Sequence, residues 1–292
     1  MKHGMSLRRS APESQTAARH EPFSVSVVMP AFNSAATIQG ALASIVSQVR
    51  VPDEIIVVDG GSTDDTLRIV AEFERPRPRV ISEPDDGPYD AMNKGIRLAE
   101  GEIVAILNSD DRWVPETLAR VEAAFRNACG SPGIVHGNVR YRLTGGGTRT
   151  IRPARGAARW AGLGLPSVHP ATFVQREVYR TIGLYDLRYP MCADQDFIYR
   201  CLQQGIPDLH LNEILADMHQ GGLSATVDYR EEIDAMFSRF VTARRLVAKF
   251  LWAGLGRNVN YFNGWENISL PGALLRALKG FARQRVRNLF GT

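Results

Sequence analysis

The sequence has few cysteines, and their spacing indicates neither a disulfide framework nor a zinc site. Its 292 residues include three cysteines, Cys129, Cys192 and Cys201, with no C-x-x-C pair. An odd number of cysteines without a metal-binding spacing fits a reducing compartment. We therefore expect a cytoplasmic protein.

Other absences narrow the class of protein further. No uninterrupted apolar run approaches the roughly 18 residues that a membrane-spanning helix needs. Residues 10–21 are polar, so no secretory signal peptide is expected. Neither a G-x-G-x-x-G fingerprint after the first predicted strand nor a G-x-x-x-x-G-K-[ST] loop occurs. Phosphate groups would therefore have to be held by other means.

Positive charge is concentrated at the C-terminal end of the chain. The net charge is only +4, but from Arg239 onward there are ten Lys or Arg residues against one acidic residue, Glu266. Within 274–290, apolar and basic residues alternate at helical spacing, which predicts a basic amphipathic helix. Such helices lie on anionic membrane surfaces, although a helix packed on the rest of the protein is the alternative. No nucleic-acid-binding motif accompanies the charge, so no nucleic acid partner is expected.

Strands and helices are predicted to alternate through the first half of the chain. The apolar and β-branched runs that predict strands lie at 24–30, 54–59, 80–81, 103–107, 133–137, 139–143 and 169–174. The amphipathic patterns that predict helices lie at 37–48, 64–74, 91–99, 115–129, 176–182 and 193–204, with a loop at 82–90. This alternation predicts an α/β fold with a mostly parallel central sheet flanked by helices.

The expected organisation has three parts. Residues 1–22 form a disordered tail, 23–225 form the α/β domain, and 226–292 form a helical, basic C-terminal extension.

The predicted strand 103–107 runs directly into Asn108-Ser109-Asp110-Asp111. In an open α/β sheet, ligands bind beyond the carboxyl ends of the strands. Two adjacent carboxylates at such a position can bind a divalent cation, although a solvated loop or a helix cap is the alternative for an isolated pair.

Several strand-end motifs together resemble the family 2 glycosyltransferases of the GT-A fold. The matching segments are Val27–Asn33, Ile55–Asp64, Tyr89–Ile96, Leu107–Asp111 and Ala193–Asp196. The resemblance covers about 24–224. It implies a hexosyltransferase-type enzyme that moves a sugar, with inversion, from a nucleotide-sugar to a hydroxyl of a glycan or lipid-linked acceptor. UDP-sugar is the expected donor.

The implied setting is bacterial polysaccharide or glycolipid biosynthesis for the cell envelope. The enzyme would then be cytoplasmic, or peripheral on the inner face of the membrane.

The resemblance also implies which residues contact the donor. Residues 30–33 would line the pocket for the base, Asp59 would bond the ring edge of the base, and residues 93–94 would face the diphosphate or the sugar. The full implied donor set is Pro30, Ala31, Phe32, Asn33, Asp59, Ser62, Asn93, Lys94, Asn108, Ser109 and Asp110. From the residues alone, Asp59 could equally cap the following helix, and residues 93–94 could belong to a surface helix.

The resemblance assigns metal and catalytic roles to other residues. Asn108 stands where many members carry the first Asp of a DxD element, which leaves Asp111 as the first candidate ligand for Mg²⁺ or Mn²⁺. His219 is a second candidate, for metal or phosphate. Asp194 matches the general base that acts on the acceptor hydroxyl, with a helix N-cap as its alternative role. One base without a nucleophile predicts a single displacement with inversion.

Three further residues are assigned to the acceptor side, Trp113, His169 and Asp196, although Trp113 could equally belong to the core.

Two other functions are weighed against sugar transfer. A sugar-nucleotide pyrophosphorylase would need a Gly-rich signature with a basic residue straight after the first strand, which residues 30–33 do not supply. A catalytically inactive protein that binds nucleotide-sugars as a scaffold would bind donor without turnover. The presence of Asp111 and Asp194 argues against it.

Overall fold

The computed structural model describes residues 23–128, 131–154, 166–221 and 228–240. The predicted disordered tail and the basic segment 274–290 lie outside the described residues, as does the proposed membrane contact of that segment. None of the helices in these ranges is both long enough and apolar enough to cross a membrane.

The described chain contains nine strands and seven helices, with one short 3₁₀ turn at His169–Ala171. The strands are β1 Val25–Ala31, β2 Glu54–Asp59, β3 Arg79–Ser82, β4 Ile103–Ile106, β5 Arg112–Trp113, β6 Ile134–Arg142, β7 Thr148–Ile151, β8 Thr172–Gln175 and β9 Asp208–His219. The helices are α1 Ile38–Val46, α2 Thr66–Ala71, α3 Pro88–Leu98, α4 Thr117–Asn127, α5 Arg176–Ile182, α6 Ala193–Gln203 and α7 Arg230–Phe240.

All nine strands belong to one sheet, in the order β3-β2-β1-β4-β8-β6-β9-β5, with β7 paired to β6. The first four strands are parallel, with Val27 of β1 opposite Ile55 of β2 and Ala105 of β4. This half matches the predicted parallel arrangement. The other half is mixed, because β8 runs antiparallel to both β4 and β6 while β6 and β9 are parallel. In that half the strands do not alternate one by one with crossover helices, so parallel pairing is not imposed.

Both faces of the parallel strands are buried, which explains their continuous apolar runs. Along β1, Val27 contributes to the core cluster on one face of the sheet and Val28 to the cluster on the other. The second cluster includes Ile233 and Met236 of α7, which are 6% and 0% exposed. Helix α7 lies beyond the predicted boundary at residue 225, so the packed domain extends past that boundary.

The observed structure differs from the prediction in several segments. The predicted loop 82–90 ends early because α3 starts at Pro88, whose fixed φ suits the first helical turn, directly after Gly87 with φ of 103°. The two strands predicted at 133–143 form one strand, β6, with irregular pairing near His136 and Asn138. No strand is predicted for 208–219, where the structure has β9.

The packing of α3 on β1 generates a prediction about Gly95. A Cβ atom at Gly95 would overlap the side chain of Val28, which is fully buried at the centre of the sheet. Overpacking typically costs about 1–3 kcal/mol, whereas alanine gains about 1 kcal/mol over glycine in a helix. We therefore expect Gly95→Ala to lower the free energy of unfolding measured in urea.

Gly145→Ala is the control, because a Cβ atom there would have no neighbour within 4 Å. If Gly95→Ala were as stable as the unmodified protein, the described contact between α3 and β1 would be wrong.

Candidate active site

The loops that follow β1, β2 and β4 meet at one edge of the sheet because these strands are parallel. The backbone N–H of Asn33 donates to Oγ of Ser62 at 2.8 Å, and that of Ser34 donates to Oγ1 of Thr66 at 2.7 Å. The hydroxyls of Ser34 and Ser109 lie 2.8 Å apart. Three loops that are distant in sequence are therefore joined by direct hydrogen bonds.

Of the four residues predicted to line a base pocket, two are accessible. Pro30 and Ala31 are buried within β1. Phe32 is 61% exposed, and Asn33 adopts a left-handed conformation with φ of 46°. The Asn33 side-chain oxygen accepts from the backbone N–H of Thr63 at 2.9 Å, so this strained turn is held in place. Phe32 is thereby presented at the rim of the site.

Asp59 supports the site from beneath. Its fully buried carboxylate accepts hydrogen bonds from the backbone N–H groups of Gly61 at 3.1 Å and Ser62 at 3.0 Å, and from the hydroxyls of Ser82 at 2.7 Å and Ser62. These contacts fix the turn after β2, and Asp59 does not cap the following helix, which begins at Thr66 with Asp65 as its N-cap. Oδ2 accepts three of the four hydrogen bonds, so a base N–H would have to donate to Oδ1, which also accepts from the Ser62 hydroxyl.

The structure gives Asn93 a different role from the predicted one. Asn93 is 2% exposed, and its amide donates to the backbone oxygen of Tyr185 and accepts from its N–H, both at 2.9 Å. Because the amide is buried and both its nitrogen and its oxygen are engaged in this pairing, it does not face a diphosphate in this structure. Asn93 instead joins α3 to the segment that precedes α6.

The Lys94 ammonium group is also occupied. It lies 3.0 Å from Glu83 and 3.3 Å from Asp90, and it donates to the backbone oxygen of Pro84 at 2.9 Å. Its hydrogen bond to Glu83 is the main cause that raises the pKa of Lys94. In this conformation Lys94 ties the loop before α3 to that helix, which differs from the predicted contact with phosphate.

Asp111 is 3% exposed, while Asp110 beside it is half-buried. The Asp111 carboxylate accepts from the side-chain amide of Asn108 at 3.3 Å. Burial, and then the charge of Asp110, raise the pKa of Asp111 well above its ordinary value. Within the described ranges neither carboxylate forms an ion pair, so their negative charge is not offset by a basic side chain.

These carboxylates fit part of a metal site. Carboxylate oxygens are preferred ligands of Mg²⁺ and Mn²⁺. However, the described residues contain no group of three or more His, Cys, Asp or Glu side chains that could hold a metal ion. Asp111 and Asp110 could therefore supply only part of a coordination sphere, and water or a bound ligand would have to complete it.

Asp194 lies in the first turn of α6, after the N-cap residue Cys192. The Tyr89 hydroxyl donates to its Oδ1 at 2.8 Å and also lies 3.2 Å from the backbone oxygen of Met191. Burial, and then the charge of Asp194, raise the pKa of Tyr89 well above its ordinary value, which keeps Tyr89 a donor. Among the residues that the structure describes, Oδ2 of Asp194 makes no hydrogen bond, so it remains available to a proton donor.

His169 lies beside Asp194. The two residues line a small cavity, about the size of one water molecule, together with Ser167 and Tyr185. Nε2 of His169 is buried and has no hydrogen-bond partner in the described part of the chain. Burial lowers the pKa of His169, and the charges of Asp194 and Asp110 oppose this shift only in part. The lowered pKa favours a neutral imidazole. The structure thus brings His169 and Asp194 together.

Two residues predicted on the acceptor side belong to the interior. Trp113 is 4% exposed, donates from its indole N–H to the backbone oxygen of Pro170 at 2.7 Å and packs against Phe173. Its ring faces are therefore not open to a sugar. Asp196 is fully buried and pairs with Arg200 at 2.7 Å, so it is a structural ion-pair residue.

His219 is exposed at the end of β9. The antiparallel pairing of β5 with β9 places Arg112 opposite Asp217, so the end of β9 runs beside the exit of the Asn108–Asp111 loop. No described contact joins His219 to that loop, and its role stays a prediction.

Two residues of the site had no predicted role. Tyr89 holds Asp194, and Ser34 joins the first loop to Ser109. Tyr89 is the first residue of the matching segment Tyr89–Ile96, and Ser34 directly follows the segment that ends at Asn33; these positions were the available signal. Their roles depend on partners 105 and 75 residues away, which local spacing does not reveal.

Comparisons with known proteins identify the family and the fold of the chain. The family model described as Glycosyl transferase family 2 matches residues 26–183. A PGL/p-HBAD biosynthesis glycosyltransferase of Mycobacterium bovis (strain BCG / Pasteur 1173P2) is 35% identical over 220 residues, which cover 70% of this chain and 81% of that relative.

Two solved structures share the fold. TarS of S. aureus, residues 1–349 in complex with UDP-GlcNAc, has a TM-score of 0.59 at 20% identity, covering 73% of this chain and 65% of that one. The chain spans 46% of the longer TarS structure. Glucosyl-3-phosphoglycerate synthase of Mycobacterium tuberculosis, in complex with Mn²⁺, UDP and glucosyl-3-phosphoglycerate, has a TM-score of 0.53 at 20% identity, covering 75% and 81%.

The burial of Asp111 generates a prediction about stability. The folded metal-free protein binds the Asp111 proton more tightly than the unfolded chain does. The free energy of unfolding therefore falls as the pH rises from about 3.9, the usual pKa of an Asp in an unfolded chain, toward the raised pKa of Asp111. Asp111→Asn removes the charge. We expect it to raise the Tm in EDTA at about pH 8 by roughly 2–4 °C, the shift that about 1 kcal/mol gives in a domain of this size.

The gain in Tm should be smaller at about pH 5, where the native carboxyl group is closer to its neutral form. Asp110→Asn, at the half-buried neighbouring position, is the control and should change the Tm less. An Asp111→Asn protein with an unchanged Tm at both pH values would contradict the burial of an uncompensated carboxylate.

Proposed function

The chain belongs to glycosyl transferase family 2 and is a glycosyltransferase of the GT-A fold, and from this premise we propose an inverting, metal-assisted sugar transfer. The sugar would move from a nucleotide-sugar, with UDP-sugar the expected donor, to a hydroxyl of a glycan or lipid-linked acceptor. Asp194 would act as the general base.

The observation that carries the mechanism is the environment of Asp194. Tyr89 fixes one oxygen of its carboxylate, and the other oxygen faces no described partner. A carboxylate oriented in this way can take the proton of an acceptor hydroxyl while the hydroxyl oxygen attacks the anomeric carbon of the donor sugar. The new C–O bond forms as the bond from the sugar to the diphosphate breaks, and the nucleoside diphosphate leaves with the bonding electrons. A single displacement of this kind inverts the anomeric configuration.

His169 is proposed to support the acceptor. Its neutral imidazole has an unused buried nitrogen in the cavity shared with Asp194. A neutral ring can exchange a hydrogen bond with a hydroxyl without competing with Asp194 for the proton.

The donor is proposed to bind at the three joined loops. Phe32 offers an exposed aromatic face for a base, while Asn33 and Ser62 hold the loop from which Phe32 projects. Asp59 fixes the turn beneath them. The TarS complex with UDP-GlcNAc and the synthase complex with UDP support UDP as the nucleotide.

A divalent cation is proposed to bind at Asp111, with Asp110 beside it. Bound there, Mg²⁺ or Mn²⁺ would act as a Lewis acid on the departing diphosphate. Neither carboxylate forms an ion pair with a basic side chain in the described ranges, which supports this assignment. The Mn²⁺ in the structurally similar glucosyl-3-phosphoglycerate synthase also supports it.

The relatives guide the choice of acceptor. The mycobacterial relative is named for PGL/p-HBAD biosynthesis, so acceptor hydroxyls of that biosynthesis are the first to assay with this chain. UDP-, GDP- and dTDP-sugars, followed by nucleotide release, would identify the donor. Donor binding without any release would instead favour the inactive scaffold.

The central prediction concerns Asp194. Asp194→Asn should lower nucleotide release and transfer by about 10²–10⁴-fold, the usual contribution of general-base catalysis. Donor affinity measured by calorimetry should stay within about twofold, because the side chain acts on the acceptor.

Glu177→Gln, an exposed change on α5, is the matched control and should retain activity. The anomeric configuration of the product, determined by NMR, should be opposite to that of the donor. Full activity of Asp194→Asn, or retention of configuration, would overturn the mechanism.

A second prediction concerns the metal. Treatment with EDTA should lower nucleotide release by at least about 10²-fold, and added Mn²⁺ or Mg²⁺ should restore it, because a cation held by Asp111 would stabilise the leaving diphosphate. Asp111→Ala should not be restored at the same metal concentration. Undiminished activity in EDTA would contradict a metal-assisted reaction.

A further inference from the structure

Helices α6 and α7 both follow the segment 26–183 that the family model matches, and α7 contacts α6, the helix that carries Asp194. Glu232 of α7 reaches the start of α6. Its Oε1 accepts from the backbone N–H of Met191 at 2.8 Å and from that of Cys192 at 2.6 Å. One carboxylate oxygen therefore holds two consecutive backbone donors.

These contacts form a cap at the entry to α6, supplied from another helix. The helix begins at Ala193, so the two donors belong to the N-cap residue Cys192 and to Met191 before it. A carboxylate near the N-terminus of a helix is also favoured by the helix dipole. Glu232 therefore fixes the backbone that leads into α6.

Two further contacts fix α7 along α6. Ile233 and Met236 are buried in the core cluster that also contains Phe197 of α6. Farther along, Arg239 lies 3.4 Å from Asp196. The Glu232 carboxylate therefore projects from a helix that is packed against α6.

The position of Asp194 links this cap to catalysis. Asp194 is two residues after Cys192, so the direction of its carboxylate depends on the geometry of the first turn of α6. The Tyr89 hydroxyl of α3 donates to its Oδ1. The hydrogen bond with Tyr89 is retained only if the start of α6 stays in place.

We propose that Glu232 is a positioning residue for Asp194, which makes α7 part of the active-site architecture. The inference rests on the proposed role of Asp194 as general base. Glu232 contacts the backbone of the catalytic helix and contributes through its orientation. Its loss should therefore lower kcat and leave donor binding unchanged.

The test compares Glu232→Ala with Glu232→Gln. Alanine leaves the two N–H groups without their acceptor, and we expect kcat to fall about 10- to 100-fold, since a displacement of about 1 Å at a catalytic group can cost up to about 10²-fold. The KM for the donor should stay within about twofold. Glutamine keeps a side-chain oxygen that can accept both hydrogen bonds, so it should recover most of the activity.

Glu231→Ala is the matched control, because Glu231 is the exposed neighbour of Glu232 on the same helix. All variants should be assayed well below their measured Tm, so that loss of folded protein does not enter kcat. A kcat for Glu232→Ala equal to that of Glu231→Ala would overturn the proposal. A rise in donor KM that accounts for the whole loss would also overturn it, because it would indicate general disruption of the site.

A double variant separates this inference from the proposed function. If Glu232 acts through Asp194, adding Glu232→Ala to Asp194→Asn should lower the remaining activity by less than about twofold, since residues that act as a unit are not additive. Full additivity would overturn the positioning role. Full activity of Asp194→Asn alone would overturn the proposed general base, whereas an inactive Asp194→Asn protein with a fully active Glu232→Ala protein would overturn only this inference.

Discussion

The site depends on the parallel pairing of β1 with β2 and β4. This pairing directs three strand ends to one edge of the sheet, where Ser62 and Ser109 come within hydrogen-bonding reach of the loop that contains Asn33 and Ser34. Both faces of these strands are buried, so a shift in register would mispack side chains in both core clusters and would move the strand ends, with their loops, out of alignment. The arrangement of the three loops therefore depends on the core beneath them.

The parallel half of the fold and the main polar positions of the site could be predicted from the sequence. Continuous apolar runs identify buried parallel strands, and polar residues directly after them mark the ligand-binding edge. Asp111 stands in such a pattern, whereas Asp194 lies in the first turn of α6 and was assigned only through the family resemblance. The family and its fold are confirmed by the comparisons, while the individual residue roles stay proposals.

The sequence could not show which of the predicted site residues make contacts within the fold that occupy their side chains. Asn93 is engaged by the backbone of Tyr185, Trp113 by Pro170, and Asp196 by Arg200. Two of these three partners are more than fifty residues away in sequence, and burial at each site results from packing between elements. Helix α7 escaped prediction as part of the domain for the same reason, since its contacts with α6 are set by tertiary packing.

The ion pairs of Lys94 have a consequence for how ligands reach the site. The basic residue that the motif assigns to the diphosphate is already balanced by Glu83 and Asp90, so it does not offset the charge of the carboxylates at the end of β4. A diphosphate and these carboxylates would repel each other unless a cation lay between them. Under the proposed metal role, donor and cation would each raise the affinity for the other by the same factor. The supply of free divalent metal would then set the working affinity for the sugar nucleotide.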